Sequence, residues 1–477
     1  MPKIYVQIAE VFELPPDADR EAIVDSLTKG LAFALGQYPV MAGVLRMNAS
    51  NGRMWVTKRE DATVDLFVRD TSSAAAPGGE GGGDRMPSFA YLEANDFPVH
   101  LLDGPKVLPK IVTEKQLFSP LGDNASDDDS TVISTFQITF LEGGLVLAAA
   151  IHHNCSDGPG CNGFLTTWAE NSAAATRGDP FKPIEMANAN RDQLSAPKPS
   201  PARWQQLDGK FPILKNLGAP SPAPPTEFVR PTLKIRMWHV PRSRAAALKA
   251  ACAPPPADAD KWVSTYDCIM ALFWKTITRA KLPLLKPALK GKEVILAHAV
   301  NTRNMLEPPL PDRFLGNAVA LPRVSVGSIE ELVKVGEDNL PRLAAAVRRS
   351  IRTITPQYAA ELPEWVAGLE DRRYIAIAMD SFLGMDLAGT SWQGMTPYEQ
   401  HDFGFGLPKA MRWPHPQFEG YVFLLPSRAA VKKQNKEGGG DNDEGLEICV
   451  CLEESCHDRL LQDTELLRFA QPRGLNA

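Results

Sequence analysis

The sequence predicts an α/β chain built from two related halves that face each other. Three observations carry this. Two apolar runs between Gln137 and Ile151 flank Gly143-Gly144 and lead into a helix, so the first half ends on a hairpin, a turn and a helix. The second half repeats the same mix of strands and helices. Between them lies a stretch rich in proline, from Pro180 to Pro225, and proline sets an extended, semi-rigid backbone. A chain of 477 residues accommodates about two or three domains. The expected division is 1–185, a crossover at 186–226, and 227–477.

Taken in order, Lys3–Phe12 reads as a strand. In Asp19–Tyr38, residues Ile23, Leu27, Leu31 and Leu35 recur every fourth position, which is helical spacing. Tyr38–Arg46 turns into a second strand that Arg53–Lys58 answers. Ala74–Asp84 and Asp123–Ser130 are surface inserts, one rich in glycine and one acidic. Leu145–Ile151 is continuously apolar, as in a strand buried on both faces, and Phe164–Thr176 follows as a helix. In the second half, strands are expected at 228–240, 293–300, 380–392, 419–425 and 446–452. Helices are expected at 245–251, 264–280, 329–355 and 458–469.

Composition excludes several functions. The net charge is −6, and no basic cluster is interleaved with aromatics, so nucleic acid is not an expected partner. The seven cysteines show no C-x-x-C pairing, which indicates neither a disulfide framework nor a zinc site. No apolar run reaches the length of a membrane span, and the N-terminus lacks a basic region followed by an apolar one. A monomeric cytoplasmic protein with reduced thiols is the expectation.

The chemistry is expected at the end of the buried strand. His153 and Asp157-Gly158 form H-x-x-x-D-G, and an imidazole can take a proton from a hydroxyl or amine near neutral pH. The carboxylate four residues on could orient that imidazole or lock the turn. His152 and His153 are consecutive on a strand and point to opposite faces, so a shared metal ion is not expected. Gly158 to Gly163 fits G-x-G-x-x-G, but the segment after it, TRGDPFKPIEMANANR, offers no second strand for a dinucleotide. The glycines are read instead as a tight turn with close helix–strand packing.

A second motif, Asp402-Phe403-Gly404-Phe405-Gly406, lies far along the chain. With HHNCSDG it resembles the signature of the BAHD acyltransferases, H-x-x-x-D-G followed by D-F-G-W-G, with Phe405 in place of tryptophan. The resemblance extends over nearly the whole chain. It takes in LTKGLAFALGQYPVMAGVLR, STYDCIMALFWKTITRA, VNTRNMLEPPLPDRFLGNAV and TSWQGMTPYEQHDFGFG. Met305 stands where many members carry a second arginine. The long inserts and the T-S-W spacing look more like the fungal trichothecene O-acetyltransferase branch than the plant hydroxycinnamoyl one.

That resemblance implies two domains of the chloramphenicol acetyltransferase type with a channel between them. Acyl-CoA is the implied co-substrate, with no bound cofactor, and a small molecule is the acceptor. His153 is the implied general base, and Thr390 and Trp392 are implied near the developing oxyanion. Asp157 is implied to pair with Arg303, and Gly158, Asp402, Gly404 and Gly406 to shape the fold. Ser264, Thr265 and Ser391 are implied contacts for CoA. Two other readings share the first motif: a condensation domain working on carrier-bound thioesters, and an inactive binding protein of the same fold. The D-F-G-F-G segment and the retained His153 favour the CoA enzyme. No G-x-S-x-G occurs, which disfavours a serine hydrolase.

Overall fold

The computed structural model describes residues 4–474 apart from 49, 59–62, 73–84, 103, 115–130, 218–231, 255–261, 285–290, 335–338, 381–383, 416–418 and 435–442. Both expected inserts, at 74–84 and 123–130, lie outside the described residues. In the first half the main elements are β1 (Tyr5–Glu13), α1 (Arg20–Gln37), β2 (Leu66–Asp70), β3 (Ser134–Leu141), β4 (Gly144–His152) and α2 (Gly158–Arg177). In the second half they are β5 (Leu233–Val240), α3 (Thr265–Lys281), β6 (Glu293–His298), β7 (Arg323–Ser328), α4 (Asn339–Arg352) and β8 (Leu387–Ser391). They end with β9 (Ala410–Arg412), β10 (Tyr421–Leu424), β11 (Leu446–Glu453) and β12 (Gln471–Arg473).

Two mixed sheets organise the chain. The first has the order β9-β1-β4-β3-β2 and the second β7-β6-β8-β10-β11-β5-β12. All residues of β3 and β4 are buried, as a continuous apolar run demands. Leu141 pairs with Gly144, so the hairpin loop is Glu142-Gly143, one residue earlier than the glycine pair suggests. Gly143 supplies the left-handed φ of 75°, while a Cβ on Gly144 would lie 2.4 Å from the Phe12 carbonyl oxygen. The second half lends β9 to the first sheet, where Arg412 pairs with Ala9.

α1 and α2 cover one face of the first sheet, over a core containing Phe12, Phe136, Phe164 and Trp168. Burying each such side chain stabilises the fold by about 1.5–3 kcal/mol. α3 lies under the second sheet and is buried on almost every side from Asp267 to Thr278.

Several expected boundaries move. α2 starts at Gly158 and not at Phe164, because Asp157 caps it by accepting from the Gly160 N–H at 3.0 Å, and Pro159 is tolerated in a first turn. The expected helix at 458–469 is two helices, Glu454–Leu460 and Thr464–Phe469, the second capped by Asp463. The crossover contains a helix, Pro201–Leu207, and a strand, Leu214–Asn216, paired with Ile375–Ile377. Among the described residues the strands expected at 228–240 and 380–392 are β5 and β8, while 228–231 and 381–383 lie outside those residues.

Candidate active site

β4 carries the chain to His152, and the His153 N–H donates to the Ile4 carbonyl at 2.7 Å. Asn317 Nδ2 donates to the His153 carbonyl at 2.8 Å. The backbone on both sides of His153 is therefore fixed. Its half-buried side chain lines a narrow cavity of about 140 Å³ between the two sheets. Thr390, Ser391, Trp392 and Phe423 line the same cavity from the second sheet. A wider cavity of about 940 Å³ adjoins it, sharing Val319, Leu321, Ile377, Met379 and Tyr421.

Burial pushes the His153 imidazole below the usual histidine range. The carbonyl of His153 itself, the Asp157 carboxylate and Asn317 act in the opposite direction. His152 is turned away. It is fully buried, packs edge-on against Tyr5 at 5.3 Å and lines neither cavity.

Asp157 is committed on both oxygens. Oδ1 accepts from Arg303 Nη2 at 2.7 Å and from the Gly160 N–H, and Oδ2 accepts from Arg303 Nη1 at 2.9 Å and from the Ala318 N–H at 2.9 Å. Arg303 also donates to the carbonyls of Phe314 and Gly316, both at 3.2 Å. This bidentate pair ties the start of α2 to the Arg303–Ala318 loop.

Trp392 is held by its backbone N–H, which donates to the Leu424 carbonyl at 2.8 Å, and by its ring against Phe423 at 5.2 Å. A Cβ on Gly158 would lie 3.0 Å from Trp392 Nε1, so the glycine lets the indole approach the helix start. Ser391 Oγ donates to Gln393 Oε1 at 3.2 Å. Ser264 is the cap of α3: its hydroxyl accepts from the Asp267 N–H at 3.2 Å, and Thr265 opens the helix. Neither lines either cavity.

Asp402 is exposed and lies away from both cavities. Its Oδ1 accepts from the N–H of Gly404 at 2.8 Å and of Gly406 at 3.0 Å. Those glycines have φ of 103° and 102°. The loop drives Phe403 into the core against Trp168 at 5.3 Å and sets Phe405 against Phe12 at 5.1 Å.

A family model described as the transferase family matches residues 108–467. A second, for the trichothecene 3-O-acetyltransferase-like N-terminal domain, matches residues 4–170. The chain belongs to the transferase family of BAHD acyltransferases. An acetyltransferase, FGR3, of Gibberella zeae is 28% identical to this acyltransferase over 99% of its chain and 88% of the relative. A trichothecene 3-O-acetyltransferase of Saccharomyces cerevisiae is 23% identical over 99% of this chain and 93% of the relative. The crystal structure of F. graminearum TRI101 with coenzyme A and T-2 mycotoxin superposes with a TM-score of 0.75 at 18% identity, over 98% of this chain and 96% of that one. Vinorine synthase gives 0.61 at 18% identity, over 98% and 91%. The acyltransferase therefore has the two-domain fold that its motifs imply.

Several residues on the cavity wall carry no motif. Gln7 and His298 belong to it. His298 Nε2 meets Ser350 Oγ at 2.9 Å and Nδ1 meets the Tyr266 hydroxyl at 3.2 Å; burial, helped by Arg348, lowers its pKa to about 4. The one signal in the sequence was a polar residue inside an apolar strand.

Proposed function

We propose that this acyltransferase moves a short acyl group, acetyl foremost, from acyl-CoA to a hydroxyl or amine of a small secondary metabolite. The observation that carries the proposal is His153 on the wall of a cavity that neither Cys155 nor Ser156, the nucleophiles nearest to it in sequence, lines. Cys155 is buried in the core, with its Sγ accepting from Arg191 Nη2 at 3.3 Å. The buried Ser156 hydroxyl donates to the Asp157 carbonyl at 3.3 Å. Neither lines the cavity.

Direct transfer follows from this arrangement. His153 takes the acceptor proton as the acceptor oxygen or nitrogen bonds to the thioester carbonyl carbon. Charge develops on the carbonyl oxygen, where Thr390 and Trp392 are the donors we assign. Collapse breaks the carbon–sulfur bond, and the departing CoA thiolate recovers the proton from the imidazolium. Asp157 and Arg303 hold the frame, as Gly158, Asp402, Gly404 and Gly406 do at their turns. Ser391, on the cavity wall, is the residue we take forward for contact with CoA. Ser264 and Thr265 remain candidates for the far end of that molecule, outside both cavities.

The narrow cavity, about 140 Å³, is close to the roughly 150 Å³ that holds a benzene in an engineered protein. Relatives named for acetyl transfer favour acetyl over a longer acyl chain. Both walls of the cavity come from one chain, so the reading takes the acting unit as a monomer, placed in the cytoplasm.

Thiol release from a panel of acyl-CoAs, with alcohols and amines as acceptors, tests the reading. Release that depends on acceptor is expected, fastest with acetyl-CoA. Mass spectrometry with acyl-CoA alone is expected to show unmodified protein. A stoichiometric adduct on Cys155, discharged by acceptor, would replace direct transfer by a cysteine relay. Turnover with carrier-bound thioesters alone would favour the condensation reading.

A further inference from the structure

Gln7 is 0% exposed, and among the described residues neither its Nε2 nor its Oε1 has a hydrogen-bond partner. It lies in β1 and lines the same narrow cavity as His153. The topology explains how a strand residue reaches that cavity. β9 pairs with β1 only from Ala9 to Val11, so among the described residues the Tyr5–Ile8 part of β1 has no strand neighbour on that side. β4 occupies the other side, as the pairing of Gln7 with Ala150 shows. The open stretch of β1 meets the cavity, whose far wall includes Thr390, Trp392 and Phe423.

A buried carboxamide with donor and acceptor both unmet destabilises the fold. An apolar side chain of the same length would fill the position without that cost. A group of this kind, on the wall that also carries the base, points to a partner that arrives from the cavity. A carboxamide suits a partner that both accepts and donates, such as a hydroxyl or a secondary amide.

We propose that the Gln7 carboxamide binds substrate beside the reacting bond, through a group that both gives and takes a hydrogen bond. The inference rests on the acyl-transfer reading above and deepens it. Two sources offer that chemistry: a hydroxyl of the acceptor, and an amide of the pantetheine arm of acyl-CoA.

The test is Gln7→Met, which keeps length and removes both polar atoms, with Gln7→Leu as a second variant should the first not fold. Steady-state rates are measured with acyl-CoA varied at saturating acceptor, then with the roles exchanged, and the melting temperature is recorded. The expected result is an unchanged or higher melting temperature with kcat/KM lowered by about 10- to 100-fold, the worth of one or two lost hydrogen bonds. A rise in KM for acyl-CoA alone identifies the pantetheine amide, and a rise for the acceptor alone identifies its hydroxyl. Unchanged kcat and both KM values in the variant, beside an active wild type, would overturn the inference and leave acyl transfer intact. A wild type that releases no thiol with any acyl-CoA would instead overturn the transfer reading, and this inference with it.

Discussion

His153 serves as a base only while its imidazole is neutral, and burial favours that form. Turnover is lost as pH falls through the imidazole pKa. Because burial lowers that pKa, the acid limb of kcat/KM is expected below the ordinary histidine value of about 6.5. A limb above it would place the base elsewhere. His153→Ala is expected to lower kcat by about 10²–10⁴-fold. His152→Ala removes a ring packed on Tyr5 and is expected to lower the melting temperature while sparing most turnover. Asp157 offers a second measurement. With its two oxygens accepting from Arg303, Gly160 and Ala318, Asp157→Ala leaves a buried guanidinium uncompensated. The expected cost is about 3–5 kcal/mol in denaturant unfolding. These residues were legible because their motif is local: six consecutive positions fix a strand end, a turn and a cap. Gln7 was not legible, since its place on the cavity wall depends on where β9 stops pairing, hundreds of residues away in sequence.

At the scale of elements, the glycines of α2 show why the helix start was misread. Composition made Gly158–Gly163 look like a turn, yet the Asp157 cap outweighs glycine's poor helix propensity. The glycines allow close packing, but against Trp392 and the Arg303–Ala318 loop and not, as the sequence suggested, against a strand. A Cβ on Gly163 would lie 2.7 Å from Arg313 Cα, a backbone atom that cannot simply rotate away. Gly163→Ala is expected to destabilise by about 1–3 kcal/mol, read as a lower unfolding midpoint. The Asp402 loop makes a complementary case. Its carboxylate is spent on two backbone N–H groups at the protein surface. Asp402→Ala is expected to lower stability while turnover of the folded protein falls by less than the roughly hundredfold minimum of a lost general base. A larger loss of kcat at full folding would return Asp402 to the chemistry. The crossover was legible only as proline-rich spacing. Its packing on Trp365 and Leu369, through Leu207 and Phe211, depends on a helix far along the chain.

At the scale of the whole molecule, the cavity exists only while the two sheets hold their positions. One clamp between them is electrostatic. Arg412, in β9 of the first sheet, donates to Glu447, in β11 of the second, at 2.9 and 3.0 Å, and both are 0% exposed. Glu447 is also met by Arg473 at 3.2 Å and by Arg428 at 3.7 Å. Burial alone would raise the Glu447 pKa, but Arg412, Arg473 and Arg428 outweigh it and hold the carboxyl at about 2, against an ordinary 4.5. A depressed carboxyl stabilises the fold above its unfolded pKa, and that contribution fades as pH falls from about 4.5 toward 2. Glu447→Gln keeps the shape and removes the charge, which leaves Arg412 buried without a counter-ion. The variant is expected to be less stable than wild type near neutrality, with the difference narrowing as pH falls through that window. Because the two sheets supply opposite walls of the cavity, KM for both substrates is expected to rise together. Glu465→Gln is the control. Glu465 pairs with Lys275 at 2.7 Å and Arg279 at 3.0 Å, within the second half alone. It is expected to lower stability without moving either KM. Equal KM values in both variants, at matched loss of stability, would show that the sheets keep their spacing without Glu447.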